Sequence, residues 1–297
     1  MTMVEKLKTD TLTYESVHFV YVVGHDHQLV GLITLRDLLV ADDSEKLQEI
    51  CDTSVHRVTV DMDQERVAHI MQDYDIIVVP VVGADNELLG IITVDDIIDV
   101  MEFEATEDVG ELTASRGATD MNVSPFRAAR KRAPWIMLLM GLGLITAKVI
   151  GIFEETLESV VLLSFFIPLV MGAAGNTGTQ SLAVMVRTIS TGEYKKHGLW
   201  YTLGRELGTG VMIGAVSGIT IIILILVFYQ ELRLAFIVGI SLLLTLSVAT
   251  VIGTIMPIII SKLNIDPAVA SGPFITTLND IIGLFIYFSI ATTLLQI

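Results

Sequence analysis

SGPFITTLNDIIGLFIYFSIATTLLQI, residues 271–297, is a run suited to the hydrocarbon of a bilayer, yet it carries one carboxylate, Asp280, roughly ten residues in. A charge near the bilayer centre costs at least a few kcal/mol on insertion scales, so this side chain is expected to face a bundle interior or an aqueous cavity. Four further apolar stretches precede it, at about 134–153, 157–190, 202–229 and 234–261, each long enough to cross about 30 Å as a helix. A mean hydropathy of +0.67 with 52% hydrophobic residues is too high for an ordinary soluble protein. The 297 residues therefore read as largely membrane-embedded.

The net charge of -16 belongs to one part of the chain. Residues 1–125 hold 26 acidic against 7 basic side chains, a balance of -19, whereas residues 126–297 come to +3. A water-exposed acidic half attracts cations and repels nucleic acid and anionic headgroups, so metal ions are the expected partners and nucleic acid is not. The single Cys51 excludes an intrachain disulfide, and no basic segment followed by a short apolar run and a cleavage site opens the sequence. The first half is read as cytosolic.

That half repeats itself. VYVVGHDHQLVGLITLRDLLVADD from Val20 aligns with VPVVGADNELLGIITVDDIIDVME from Val79 at an offset of 59, with Gly24 over Gly83, Gly31 over Gly90, Thr34 over Thr93 and Asp37 over Asp96. Each copy reads as strand, turn, strand and helix, the Thr capping the helix that starts near the Asp. The pattern resembles a pair of cystathionine-β-synthase (CBS) domains, a small α/β module that packs as a tandem. Ahead of the second copy, VHRVTVDMDQERVAHIMQDYDI predicts a strand and an amphipathic helix. The first copy has only about twenty residues in front of it and is expected to lack its front part. In nucleotide-binding CBS domains the T-x-x-D spacing of Thr34 and Thr93 places a carboxylate on a ribose, which would admit an adenine nucleotide such as ATP; the same residues serve equally as helix caps.

After the repeat, IIDVMEFEATEDVGELTASRGATDMNVSPF begins as an acidic helix and frays into a polar linker. Asp95, Asp99 and Glu102 share a helix face, where like charges repel by a few tenths of a kcal/mol per pair. Divalent cations would relieve that repulsion, and a solvated acidic face would tolerate it. Loop charges set the orientation through the excess of Lys/Arg on the cytoplasmic side. RAARKR (127–132), with Arg187, Lys195, Lys196 and Arg205 in the second loop and Lys262 in the fourth, places the N-terminal half inside and the C-terminus outside.

In FFIPLVMGAAGNTGTQSLAVMV (165–186), Pro168 is expected to break a helix ahead of a run of small and polar residues. Polar or non-helical backbone at membrane depth is tolerated only where protein buries it or a water-filled path meets it. Close helix contact through Gly172, Gly175 and Gly178 is the other reading. Glu206 is ambiguous between a pore ligand and an interfacial charge. The histidines show no ligand spacing, and neither a nucleophile, base and oxyanion set nor a phosphate loop of the Walker type is present, so no enzyme is expected.

The CBS tandem, the acidic helix, five spans, PLVMGAAGNTGTQS (168–181) and TTLNDIIGLFIYF (276–288) together resemble the MgtE family of magnesium channels over nearly the whole sequence. The resemblance implies an α+β multidomain membrane protein. Its parts would be a first CBS unit over 1–50, a second over 51–100, the connecting acidic helix and linker over 97–126, and an all-α transmembrane domain of five helices over 127–297. Members usually carry an acidic helical N domain ahead of the CBS pair, which is not found in these 297 residues. The resemblance further implies a homodimer in the cell membrane whose two chains line one pore, with Asp280 as its metal ligand and Asn279 beside it. Mg²⁺ gives up its waters reluctantly and is held by a few carboxylates, so one Asp280 per chain suffices, with carbonyls near Gly175 and Asn176 as candidates for the surrounding ring. Mn²⁺ or Co²⁺ would fit the same donors. Cytosolic Mg²⁺ bound by Asp95, Asp96, Asp99, Glu102, Glu104, Glu107 and Asp108, joined by Glu65 and Asp75 and by Asp266 at the start of the last span, would close the channel. An ion-coupled carrier and a membrane-anchored CBS nucleotide sensor are the competing readings.

Overall fold

The computed structural model describes residues 19–42, 45–115, 123–191, 194, 198–263 and 265–295. The front of the first repeat copy, and Lys195 and Lys196 of the second loop, lie outside the described residues. The chain divides into two compact units, residues 1–105 and 106–297.

In the first unit β1 (Phe19–Val23) pairs antiparallel with β2 (Leu29–Thr34), and β4 (Val78–Val82) with β5 (Leu88–Thr93). The register slips between Val22 and Val23 in one hairpin and between Val81 and Val82 in the other, positions 59 apart. The turns repeat as well: His27 and Asn86 both take a positive φ, of 56° and 61°, a conformation Asn and His reach more cheaply than most residues. The hairpins join at these turns, where the Leu29 amide donates to the Asn86 carbonyl at 2.9 Å and the Leu88 amide to the His27 carbonyl at 3.0 Å. The internal repeat thus folds as a tandem. Burial raises the Tyr21 phenol to about 12, and its hydroxyl donates to the Val78 carbonyl at 3.3 Å.

Short helices follow each hairpin or precede it: α1 (Leu35–Val40), α2 (Leu47–Ile50) and α3 (Gln64–Asp73), the last behind the two-residue strand β3 (Val58–Thr59), which runs parallel to β4. Asp63 caps α3 by accepting from the Glu65 and Arg66 amides. Val67, Ala68 and Met71 of α3 pack with Val58, Val79 and Ile97 into the core of this half. Helix α4 (Val94–Leu112) then begins in the first unit and ends in the second.

The second unit contains five helices long and apolar enough to cross a membrane: α5 (Pro125–Ile152), α7 (Leu162–Ser190), α8 (Leu199–Phe228), α9 (Leu232–Lys262) and α10 (Gly272–Leu295). A short α6 (Glu154–Ser159) precedes α7, and a 3₁₀ turn (Pro267–Val269) precedes α10. Helix α9 is the hub, packed against α7, α8 and α10, while α5 lies mainly on α10. Leu163, Phe166, Val170, Leu242, Leu284, Tyr287 and Phe288 fill the centre, and the Tyr287 hydroxyl donates to the Leu163 carbonyl at 2.9 Å.

Pro168 does not break the helix as its type suggested: α7 runs without interruption from Leu162 to Ser190, with Pro168 as its seventh residue. A proline there removes one amide, the partner of the Ser164 carbonyl one turn earlier, and neighbouring helices let spanning helices tolerate that loss. The polar run after Pro168 is accordingly helical, and the interruption of this span lies at Val160 and Val161, between α6 and α7.

Close approach between α8 and α9 comes from three glycines on one stripe, Gly210, Gly214 and Gly218. A Cβ on Gly214 would sit 2.7 Å from the Leu243 carbonyl oxygen, and one on Gly218 2.7 Å from that of Gly239. Without a hydrophobic drive between helices in lipid, backbone contact of this kind supplies van der Waals cohesion.

Candidate functional site

Asp280 is the ninth of the 24 residues of α10, which at 1.5 Å per residue is about 12 Å into a helix about 36 Å long. Ser271, fully buried, leads into this helix, and Asp266 starts the preceding 3₁₀ turn by accepting from the Ala268 amide at 2.9 Å. Its first turns are polar, but Thr276 and Thr277 return their hydroxyls to the carbonyls of Gly272 and Pro273, both at 2.9 Å. Asn279 is 2% exposed and presses on α7 where Gly178 leaves room; a Cβ on that glycine would overlap the Asn279 amide nitrogen. One turn earlier Thr276 packs on Gly175 in the same way, its Cγ2 lying 2.6 Å from where a Cβ would be. Gly253 of α9 closes the triangle against the Gly178 carbonyl. The small residues of α7 therefore seat the polar face of α10, so that of the two readings the close contact holds at Gly175 and Gly178, while Gly172 meets nothing within 4 Å.

Asp280 is half-buried. Among the described residues its Oδ1, and the Nδ2 of Asn279, are buried polar atoms without a hydrogen-bond partner. Leaving such atoms unpaired typically costs about 1–3 kcal/mol each, more when charged, which calls for an explanation beyond packing. Lys148, the basic side chain of the first predicted span, is exposed on α5. Asn176 is exposed on α7 and its carbonyl accepts from Thr179 Oγ1 at 2.9 Å; Gly175, next to it, is buried. These two carbonyls belong to a continuous helix and do not line an unwound segment.

The acidic residues are spread along α4. Asp95, Asp96, Asp99 and Glu102 are exposed, Glu107 and Asp108 are half-buried, and the half-buried Glu104 accepts from Gln64 Nε2 of α3 at 2.7 Å. That bond brings Glu104 to the start of α3, whose Glu65 lies 4.0 Å from His69. Asp75 follows α3 with a φ of 53°. Among the described residues no three His, Cys, Asp or Glu side chains converge to hold a metal ion. The T-x-x-D pairs are helix caps: Thr34 Oγ1 donates to Asp37 at 2.5 Å and Thr93 Oγ1 to Asp96 at 2.7 Å, and the Thr amides donate to the same carboxylates. These hydrogen bonds, the hydroxyl first, hold both carboxyls below the usual range. Both remain exposed, so the cap does not block a ligand from their outer edges.

For Glu206 the sequence leaves open a pore ligand or an interfacial charge. It is 7% exposed on α8 and accepts from Ser181 Oγ of α7 at 3.0 Å. No sequence signal pairs these two residues, which lie 25 positions apart on different helices. The stripe Gly210, Gly214, Gly218 did carry a signal, its spacing of four, in GTGVMIGAVSG.

Comparison with known proteins places the site in context. The family model MgtE, divalent cation transporter, matches residues 167–290, and the CBS domain model matches residues 4–44 and 47–102. The magnesium transporter MgtE of Bacillus subtilis (strain 168) is 45% identical over 293 residues, 99% of this chain and 65% of that protein. Its namesake in Enterococcus faecalis (strain ATCC 700802 / V583) is 43% identical over 290 residues, 98% of this chain and 64% of that protein. A crystal structure of the cytosolic domain of the Mg²⁺ channel MgtE in complex with ATP is 42% identical, covering 34% of this chain and 42% of that one at a TM-score of 0.32. The chain thus spans a little under two thirds of the length of the curated relatives.

Proposed function

We propose that this chain, which is similar to MgtE divalent cation transporters over nearly its whole length, belongs to that family and forms a Mg²⁺-selective, Mg²⁺-gated channel whose pore is lined by Asp280 at the axis of a homodimer. The observation that carries the proposal is Asp280 itself. A half-buried carboxylate in an apolar helix, one of its oxygens buried and unpartnered among the described residues, is supplied with a counter-charge by a permeating cation. Mg²⁺ keeps several waters when bound by one or two carboxylates, so two such groups related by a two-fold axis hold it through its hydration shell. Asn279, wedged at Gly178, fixes the rotation of α10 that aims Asp280.

Gating rests on the acidic half. With no metal cluster among the described residues of one chain, the carboxylates of α4, with Glu65 and Asp75, take their Mg²⁺ between two chains. Leu89, Ile91, Ile98 and Met101, apolar side chains exposed in a single chain, are the surface such pairing would cover. Mg²⁺ then favours the closed state because its affinity is greater there. The basic RAARKR segment supports a cytosolic location for this half, with the protein in the cell membrane. The exposed edges of Asp37 and Asp96 are where an adenine nucleotide would meet the CBS pair.

Mg²⁺ uptake into proteoliposomes tests the pore. Asp280→Asn, which keeps the shape and removes the charge, is expected to abolish or strongly reduce flux while the dimer stays folded. Wild-type flux in that variant overturns the assignment. A flux that demands a proton or Na⁺ gradient shows a coupled carrier instead.

A further inference from the structure

Glu206 is a carboxylate buried inside a membrane-capable helix at a place the Asp280 pore does not explain. Among the described residues its one hydrogen-bond partner is the Ser181 hydroxyl, itself 4% exposed, and no ion pair reaches it. An intramembrane carboxylate held by a single neutral donor is a costly group, kept where it faces a partner or a water-filled cavity. Glu206 does line a cavity, of about 140 Å³, open on one side between α7 and α8 and bounded also by Val184, Met185, Thr188, Tyr201, Thr202 and Arg205. One water needs about 10–15 Å³ of such space, so the cavity accommodates a hydrated ion.

The lining is rich in oxygen. Thr188 Oγ1 donates to the Val184 carbonyl at 2.7 Å, and Thr202 Oγ1 to the Gly198 carbonyl at 3.0 Å. Each hydroxyl has spent its proton on its own helix, and so has Ser181 on Glu206. What Thr188 and Thr202 retain on the cavity wall is lone pairs, which suit a cation and not an anion. Arg205 is the one positive group on the wall. It is exposed, and being next to Glu206 in the helix it leaves the axis about 100° away. The deep end of the cavity is therefore anionic and its rim cationic.

We infer that Glu206, supported by Ser181, Thr188 and Thr202, forms a second intramembrane binding site for a divalent cation, separate from the pore and open toward the helix ends that carry Arg187 and Arg205. The carboxylate is the inner ligand, and the hydroxyls hold the ion's remaining waters, the mode of binding that Mg²⁺ favours. The inference rests on the membrane reading of α7 and α8 and not on the role given to Asp280.

A local probe tests it. Cys51 is the one cysteine of the sequence, so Cys51→Ser provides a thiol-free chain, and Val184→Cys then places a single thiol on the cavity wall. Its modification by a small cationic methanethiosulfonate is followed in the full-length protein with and without Mg²⁺. At ten times its dissociation constant, Mg²⁺ is expected to slow modification about tenfold by mass action. Protection disappears with Glu206→Gln, returns with Glu206→Asp and survives Asp280→Asn. If Glu206→Gln fails to fold, Ser181→Ala takes its place and shifts the protecting Mg²⁺ concentration upward. Protection that persists without the carboxylate, that is lost with Asp280→Asn, or that Na⁺ or pH alone reproduces overturns the site. Survival of the site alongside wild-type flux in Asp280→Asn would sink the pore assignment alone.

Discussion

Replacing Gly214 by alanine puts one methyl group between two backbones. Its Cβ would lie 2.7 Å from the Leu243 carbonyl oxygen and 2.9 Å from the Leu243 Cα, and neither atom can rotate away. Restoring an ordinary separation of about 3.5 Å requires α8 and α9 to part by about 0.7 Å, a gap at which facing atoms forfeit a quarter to a half of their dispersion energy. Gly218 against Gly239, and Gly210 against Ser247 and Thr250, share the seam and loosen with it. Overpacking of this kind costs about 1–3 kcal/mol. Gly208→Ala is the control, because a Cβ there meets nothing within 4 Å. Both variants gain the same benefit of alanine over glycine in a helix, about 0.5–1 kcal/mol, so it cancels in the comparison. With about 2–4 °C per kcal/mol for a unit of this size, Gly214→Ala should melt about 2–12 °C below Gly208→Ala. Thermal unfolding in detergent, followed by tryptophan fluorescence, gives both values. Equal midpoints, or a lower one for Gly208→Ala, would refute backbone contact along this stripe.

The other predictions concern the first unit. Because the Thr hydroxyls and amides lower the carboxyls of Asp37 and Asp96 in the fold, these caps stabilise above the unfolded value of about 3.9 and lose that contribution as pH falls through the lower folded value. Asp96→Asn still caps but cannot titrate, so amide exchange at the start of α4 should become less acid-sensitive below about pH 4. Unchanged acid sensitivity would place the titration elsewhere. Burial first, and then the Asp52 charge, raise the Cys51 thiol, so iodoacetamide should alkylate it more slowly than a free thiol at about pH 8, and Asp52→Asn should give a small acceleration. Gly31→Ala would drive a Cβ into Cys51 Sγ and the Asp52 carbonyl, breaking the paired 2.9 Å bonds between Leu32 and Asp52; faster alkylation of Cys51 in that variant is the expected readout.

Local periodicity and turn chemistry were sufficient for much of this architecture. The offset of 59 predicted two hairpins with matching turns, and T-x-x-D predicted the caps at Thr34 and Thr93, because those features depend on residues close in sequence. Asp280 stood out for the same reason, a charge among apolar neighbours. What the sequence concealed depends on which helix lies beside which. Pro168 misled because its usual penalty is the lost amide hydrogen bond and a ring clash, which a spanning helix packed among neighbours tolerates. Gly175 and Gly178 left a polar pore backbone and a close helix contact both open until Thr276 and Asn279 of another helix were set against them. Ser181 and Glu206 acquire meaning only together. The carboxylates of α4 were legible as a charged row and not as ligands, since a row on one helix does not say where a second set of donors comes from.

Helix α5 has one buried residue, Thr146, and its main neighbour is α10, the last of the five long helices to be made. During synthesis, then, the first span leaves the ribosome with its eventual partner still about 120 residues from being translated, at least several seconds away at about 5–20 residues per second. Through that interval it must persist alone among lipid tails. Its exposed Ile136, Met137, Met140, Leu144 and Ile145 equip it for solitude, and its docking on α10 becomes the closing step of assembly, not the nucleus.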